Sequence, residues 1–206
     1  MMKKSLYILS LLATIFSLSS CSESEEAGEF DNWQERNQLY VDSIAYLADA
    51  GIDGWTKVVS FNLSEETERA NPNNNHFVYI KKIENGTGKT HPLYNDSIRV
   101  HYLGRLIPSN TYPQGYVFGK SYSTYTLNEA TDVPSLLAVN QNVDGFATAI
   151  MRMVEGDVYK IVIPYYLGYG EEGNSSGGVP GYSALIFDVK LARIYKYKID
   201  TDTTWH

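Results

Sequence analysis

Residues 143–191 constrain the chain most, because three stretches of different periodicity follow one another there. Val143, Phe146, Ile150 and Met153 recur at helical spacing, which predicts a short helix over 143–153 with one apolar face. After the turn signal Glu155-Gly156-Asp157, VYKIVIP (158–164) reads as a strand stopped by Pro164. A loop rich in Gly and Ser (168–181) then leads into ALIFDVKLARIYKY, whose alternation suits a long strand with one buried face. One helix laid across an antiparallel sheet accounts for this order. The loop offers aromatic groups but no cluster of acids, histidines or thiols for hydrolytic chemistry.

The wider motif set carries a resemblance. VHY-x-G stands at 100–104, VFG-x-S at 117–121, VDGF at 143–146 and M-x-x-G-D at 153–157. Tyr165 precedes LGYG at 167–170, VPG stands at 179–181 and LIFDVKL at 185–191. In this order and spacing the chain resembles, over roughly 76–195, the FK506-binding family of peptidyl-prolyl isomerases. The resemblance implies an α+β fold: an antiparallel half-barrel wrapped around a short helix, here with an N-terminal helical extension. It also implies a pocket with an aromatic floor that accepts proline and needs no cofactor. Tyr102 falls at the pocket Tyr and Phe118 at a wall Phe. Val143 matches the residue whose backbone N–H holds a substrate carbonyl, and Phe146 replaces the usual floor Trp. Tyr169 matches the flap Tyr, Val179 the Ile before the loop Pro, and Phe187 the Phe of the last strand. Leu136 is the nominal counterpart of a second wall aromatic, in a stretch (123–141) where the spacing drifts. Gly119 departs from the family pattern, since an Asp commonly follows the wall Phe. Proline-containing peptides or unfolded envelope proteins are the implied partners.

The N-terminus constrains placement instead of fold. Lys3 and Lys4 precede LYILSLLATIFSL, an apolar stretch too short for a secure bilayer crossing, and it ends in Leu18-Ser19-Ser20-Cys21. This pattern resembles the bacterial lipoprotein signal, cut before a Cys that then carries lipid. Residues 1–20 are therefore expected to be a signal peptide, with Cys21 the lipidation site and a lipid-anchored chain in the cell envelope. Buried acyl methylenes contribute about 0.8 kcal/mol each to such an anchor. SESEEAGE (22–29) continues as an acidic tether. Its acids resemble the export signal that carries lipoproteins of Bacteroidota to the outer face of the outer membrane, and they equally suit a tether that is merely solvated.

Cys21 is the single cysteine, which excludes an internal disulfide. Without Lys3 and Lys4, 15 basic residues face 24 acidic ones, a charge of −9. An acidic chain with no Lys/Arg cluster speaks against nucleic acid, whose binding rests on phosphate neutralisation. His76, His91, His101 and His206 show no metal-site spacing. The glycines of 168–181 lack the order and the strand-to-helix context of a phosphate loop.

The remaining segments divide the chain into 30–75, an N-terminal helix and extension, and 76–197, the domain proper. Residues 31–50 read as a helix capped by Asp31 and ended by Gly51, with Trp33, Tyr40, Ile44 and Leu47 on one face. That face packs on the sheet or makes a dimer, so monomer and dimer both stay open. WTKVVSFNLS (55–64) is a strand or an extended arm, and 65–76 a loop. FVYIKKIENGTGK (77–89) is a strand with a turn signal at Asn85-Gly86, and Ser97–Leu106 is the next strand. A two-proline loop over 107–120 leads to a short strand at 121–127. In the aperiodic 128–142, Val133, Leu136, Leu137 and Val139 are expected to be buried.

Overall fold

The computed structural model describes residues 28–197, so the expected signal peptide (1–20) and the expected lipidation site Cys21 lie outside the described residues. Residues 28–31 form a turn in which the Asp31 carboxylate accepts from the Gly28 N–H at 2.7 Å. The described residues from Asn32 to Tyr197 belong to one compact unit. No helix among the described residues is long and apolar enough to cross a membrane.

The unit is an α+β fold built on one seven-stranded sheet. The strands are β1 (Trp55–Val59), β2 (Phe77–Glu84), β3 (Ser97–Arg105), β4 (Val117–Lys120), β5 (Ser135–Ala138), β6 (Val158–Ile163) and β7 (Leu185–Tyr195). They run β1-β2-β6-β7-β3-β4, with β5 also on β3, and every pairing is antiparallel. Three α-helices among the described residues accompany them: α1 (Trp33–Asp49), α2 (Glu65–Ala70) and α3 (Asp144–Ile150).

The apolar set expected over 143–153 turns inward as one face. Phe146, Ile150 and Met153 are all buried, and α3 lies against β6. Gly145 permits that close approach, because a Cβ there would fall inside contact distance of Ile163 Cγ2. In β7 the period-two pattern runs from Phe187 to Leu191: Phe187, Val189 and Leu191 are buried, Asp188 and Lys190 alternate between them, and Leu185 and Ile186 ahead of it are both buried. On that opposite face Arg105 pairs with Asp188 at 2.6 Å, and Lys190 with Glu129 at 2.5 Å.

The Glu155-Gly156-Asp157 turn organises the entry to β3. Asp157, almost fully buried, accepts from the Gly86 N–H at 2.8 Å and the Val154 N–H at 2.9 Å. Asn85-Gly86 therefore does not close a hairpin. β2 pairs with β1 and β6, not with β3, and Gly86 instead abuts 155–157 so closely that a Cβ would lie 2.5 Å from Asp157 N.

Helix α1 packs on β1 and β2 and has Trp33, Val41, Ile44 and Ala45 buried, with Tyr40 and Leu47 half-buried at the margin. Its apolar face is thus covered by the chain's own sheet. The cap differs from expectation. Asn32, not Asp31, stands at the N-cap in the left-handed region (φ 51°), and Gly51 (φ 65°) follows the last turn as expected. Residues 65–70, expected as loop, form α2. The Ser64 hydroxyl caps it by accepting from the Thr67 N–H at 3.4 Å, and Glu65 and Glu66 favour its first turn. The segment 121–127 is bends and turns instead of strand, while 117–120 is strand β4. Val133 and Leu136 are 71% and 59% exposed, so they bury nothing; Val139 is buried and Leu137 half-buried.

Candidate functional site

Four strands, α3 and one loop converge on a cavity of about 220 Å³ at the open end of the sheet. Its walls are Tyr102 from β3, Phe118 and Gly119 from β4, Leu137 from β5, Phe146 from α3 and Phe187 from β7. Gln141, Asn142 and Val143, which lead into α3, and Tyr169 from the loop after β6 complete the rim.

Phe187 is the hub. Its ring stands edge-on to Phe118 (5.4 Å, 86°), tilted against Phe146 (5.1 Å, 59°) and 6.4 Å from Tyr102. Aromatic pairs prefer these offset and edge-to-face geometries. Gly104 makes them sterically feasible. It pairs with Phe187 across β3 and β7, and with Gly119 across β3 and β4. A Cβ on Gly104 would lie 2.7 Å from the Phe118 ring and 2.8 Å from the Phe187 ring. The register shift between Gly104 and Arg105 gives β4 one extra residue, and Phe118 is that residue.

The cavity is apolar on its floor and polar on its rim. No Asp, Glu, Lys, Arg or His lines it. Burial, with Tyr169 nearby, holds the Tyr102 hydroxyl above its ordinary pKa, so it stays protonated and able to donate. Val143 is the N-cap of α3; its carbonyl accepts from Ala147, and its N–H has no partner among the described residues. The Asn142 amide is fixed by donating to the Ala138 carbonyl at 2.7 Å. Asp188, next in sequence to Phe187, lies on the other face of β7 and is held by Arg105.

Six of the residues singled out from sequence therefore meet in one cavity: Tyr102, Phe118, Val143, Phe146, Tyr169 and Phe187. Val179 does not line it. Val179 is 3% exposed in the core and bridges to Asn174 by paired backbone bonds of 2.8 and 2.9 Å, so it braces the loop from behind. Leu136 points to solvent, and its neighbour Leu137 takes the wall position. Leu137, Gln141 and Asn142 were missed because 128–142 has no readable period; the closeness of 141–142 to the VDGF motif was the only available signal.

Such a site can seat a compact apolar ring and hold flanking carbonyls, without nucleophile or acid. A sheet wrapped on one helix, with an aromatic, uncharged pocket, defines the class as an α+β half-barrel. The chain belongs to the FKBP-type peptidyl-prolyl cis-trans isomerase family, whose model matches residues 88–192. It is similar to a macrophage infectivity potentiator of Trypanosoma cruzi, 34% identical over 115 residues, covering 56% of this chain and 52% of that protein. It is also similar to the FKBP-type 22 kDa peptidyl-prolyl cis-trans isomerase of Escherichia coli, 33% identical over 56% of this chain and 48% of that protein. The chain spans about half the length of the relatives it matches. A peptidyl-prolyl cis-trans isomerase structure from Pseudomonas syringae shares the fold, with TM-score 0.53 and 20% identity over 79% of this chain and 96% of that one.

Proposed function

We propose that this chain binds proline-containing segments of unfolded envelope proteins in the aromatic cavity and isomerises the X–Pro bond, more slowly than full members of the family. The observation that carries this reading is the meeting of six family-position side chains around one uncharged cavity. Isomerisation passes a barrier of about 20 kcal/mol because twisting the amide forfeits resonance. A site lowers that barrier by binding the twisted amide better than either planar form, through shape, desolvation and fixed hydrogen bonds.

Phe146, Phe187 and Tyr102 then seat the proline ring, and Phe118 closes one side. The Tyr169 hydroxyl and the Val143 N–H hold substrate carbonyls. Two departures support slow turnover. Phe146 gives less floor than a Trp, and Gly119 offers no carboxylate to discriminate the twisted carbonyl. The same departures favour a second reading, a peptide-binding lipoprotein with the fold and no efficient catalysis.

The placement we propose is a lipid anchor on Cys21 followed by the acidic tether, holding the domain in the cell envelope, at the outer membrane. With the apolar face of α1 covered by its own sheet, we propose a monomer. Titration with a proline-containing peptide, read by isothermal calorimetry, tests the site. Binding that weakens at least tenfold in Phe187→Ala supports it. Equal binding in a folded Phe187→Ala protein contradicts it.

A further inference from the structure

We infer that α1 is a positioning device for the site: it fixes the loop that presents Tyr169, through Trp33 and Asn37. The inference rests on the proposed proline-site reading, and it assigns a task to a helix outside the segment matched by the family.

The contacts form a continuous path from the helix to the cavity. The Trp33 Nε1–H donates to the Ser183 hydroxyl at 2.9 Å, and that hydroxyl donates to the Pro180 carbonyl at 2.6 Å. One turn along, Asn37 Oδ1 accepts from the Ala184 N–H at 2.8 Å while Asn37 Nδ2 donates to the Trp33 carbonyl at 2.7 Å. Four of these five residues are buried, Trp33 at 7% exposure, Asn37 and Ser183 at 2% and Ala184 at 1%, and Pro180 is half-buried. A buried polar network of this kind has one satisfied geometry, since any displacement strands polar groups without water.

The anchored limb in turn carries the limb of Tyr169. Residues 179–182 run against 169–173 backbone to backbone. A Cβ on Gly173 would lie 2.5 Å from the Pro180 carbonyl carbon, and one on Gly181 would meet the Glu171 carbonyl. The Tyr182 N–H donates to the Gly170 carbonyl at 3.0 Å, and the Tyr182 ring packs on Tyr165 at 5.1 Å. Tyr169 sits between these pins on the cavity rim. α1 also reaches the loop that leads into β4, where Arg36 Nη2 donates to the Pro108 carbonyl at 3.1 Å. In that loop, Tyr116 abuts Gly178 of the Tyr169 loop, where a Cβ would fall 2.8 Å from the Tyr116 hydroxyl. One helix thus holds the loop of Tyr169 and the loop ahead of the strand that carries Phe118.

The test uses Trp33→Phe, which removes only the indole N–H and part of the ring, and Ser183→Ala, which removes the other end of the same bond. Tyr169→Phe is the reference. Mispositioning Tyr169 weakens its hydrogen bond to the substrate carbonyl, so it raises KM, with kcat moving only as it does in Tyr169→Phe. One neutral hydrogen bond corresponds to a rise of between about twofold and about tenfold. Loss of folded protein gives the opposite split, a lower apparent kcat at constant KM. The double variant should match Ser183→Ala, which already loses the bonds to both Trp33 and Pro180, and Trp33→Phe should add nothing in the Tyr169→Phe background. Native-state hydrogen exchange at the Gly170 and Tyr182 amides should quicken in both single variants while the slowest sheet amides hold. A wild-type chain that binds no proline peptide removes the site reading but not the positioning claim, which the exchange then decides. Unchanged KM together with unchanged loop exchange in Trp33→Phe overturns the inference.

Discussion

Substituting Gly145 by Ala sets two effects of opposite sign against each other. Intrinsic helix propensity favours Ala over Gly by at most about 1 kcal/mol, so propensity alone predicts a gain. The structure predicts a loss. The new methyl would fall inside contact distance of Ile163 Cγ2 and only 3.2 Å from its Cβ and Cγ1. Ile163 is fully buried, and β6 lies between β2 and β7, so the strand has little room to move. A β-branched side chain has few rotamers with which to yield. Overpacking a core by one methyl costs about 1–3 kcal/mol, and this overlap belongs at the upper end. The net expectation is a loss of about 1–2 kcal/mol, which for a chain of this size lowers Tm by about 2–8 °C. Urea unfolding of four proteins reads it: wild type, Gly145→Ala, Ile163→Ala and the double variant. Ile163→Ala alone costs about 2–5 kcal/mol. In that background Gly145→Ala should become neutral or stabilising, giving a coupling of about 2–3 kcal/mol. A stabilised Gly145→Ala single variant, or a coupling below about 0.5 kcal/mol, would show that α3 does not rest on Ile163 as described.

Gly119→Asp should raise turnover on a proline peptide more than it raises affinity. Gly119 avoids the left-handed region, and its Cβ would sit 3.3 Å from the Tyr102 ring, so a small shift of Tyr102 admits the side chain; equal changes in kcat and KM would count against a missing acid as the limit. Asp157→Asn should cost about 1–3 kcal/mol and flatten the acid limb of the stability profile. Burial alone would raise the Asp157 pKa, but the Gly86 and Val154 N–H groups and Lys82 outweigh it and hold the carboxyl below its ordinary 3.8. Its stabilisation is therefore present above pH 3.8 and lost as pH falls through the lower folded value; an unchanged acid limb in Asp157→Asn would refute this. Cys21→Ser should release the protein from the membrane fraction, and mass spectrometry finding an unacylated Cys21 in the natural protein would end the lipid-anchor proposal.

The elements most legible in the sequence are those whose period is enforced by burial. Between Phe187 and Leu191 β7 alternates because one face meets the core and the other is only half-buried, and the Val143-to-Met153 spacing is helical because that face meets the sheet. The six cavity residues were legible through the motif order, since the fold needs Gly104, Gly145 and Gly156 where they stand to bring those side chains together. Less legible were elements held by few local contacts. α2 has six residues and rests on a Ser64 cap, too short for an amphipathic period to show. β5 has four residues on the sheet margin, and Val133 and Leu136 look like core although they face solvent. Asn85-Gly86 has the composition of a hairpin turn, yet its backbone is claimed by Asp157, 71 residues away, which no local reading registers. The Trp33–Ser183 bond, across 150 residues, was invisible for the same reason.

The central claim is tested most directly by catalysed cis–trans exchange of a proline-containing peptide, followed by two-dimensional exchange NMR with the protein from residue 22 onward. The account predicts exchange faster than the uncatalysed rate, lost in Phe187→Ala, and slower than that given by the 22 kDa Escherichia coli relative. No acceleration and no peptide binding by the folded protein would contradict it, and turnover equal to that relative's would contradict the weakening assigned to Gly119 and Phe146.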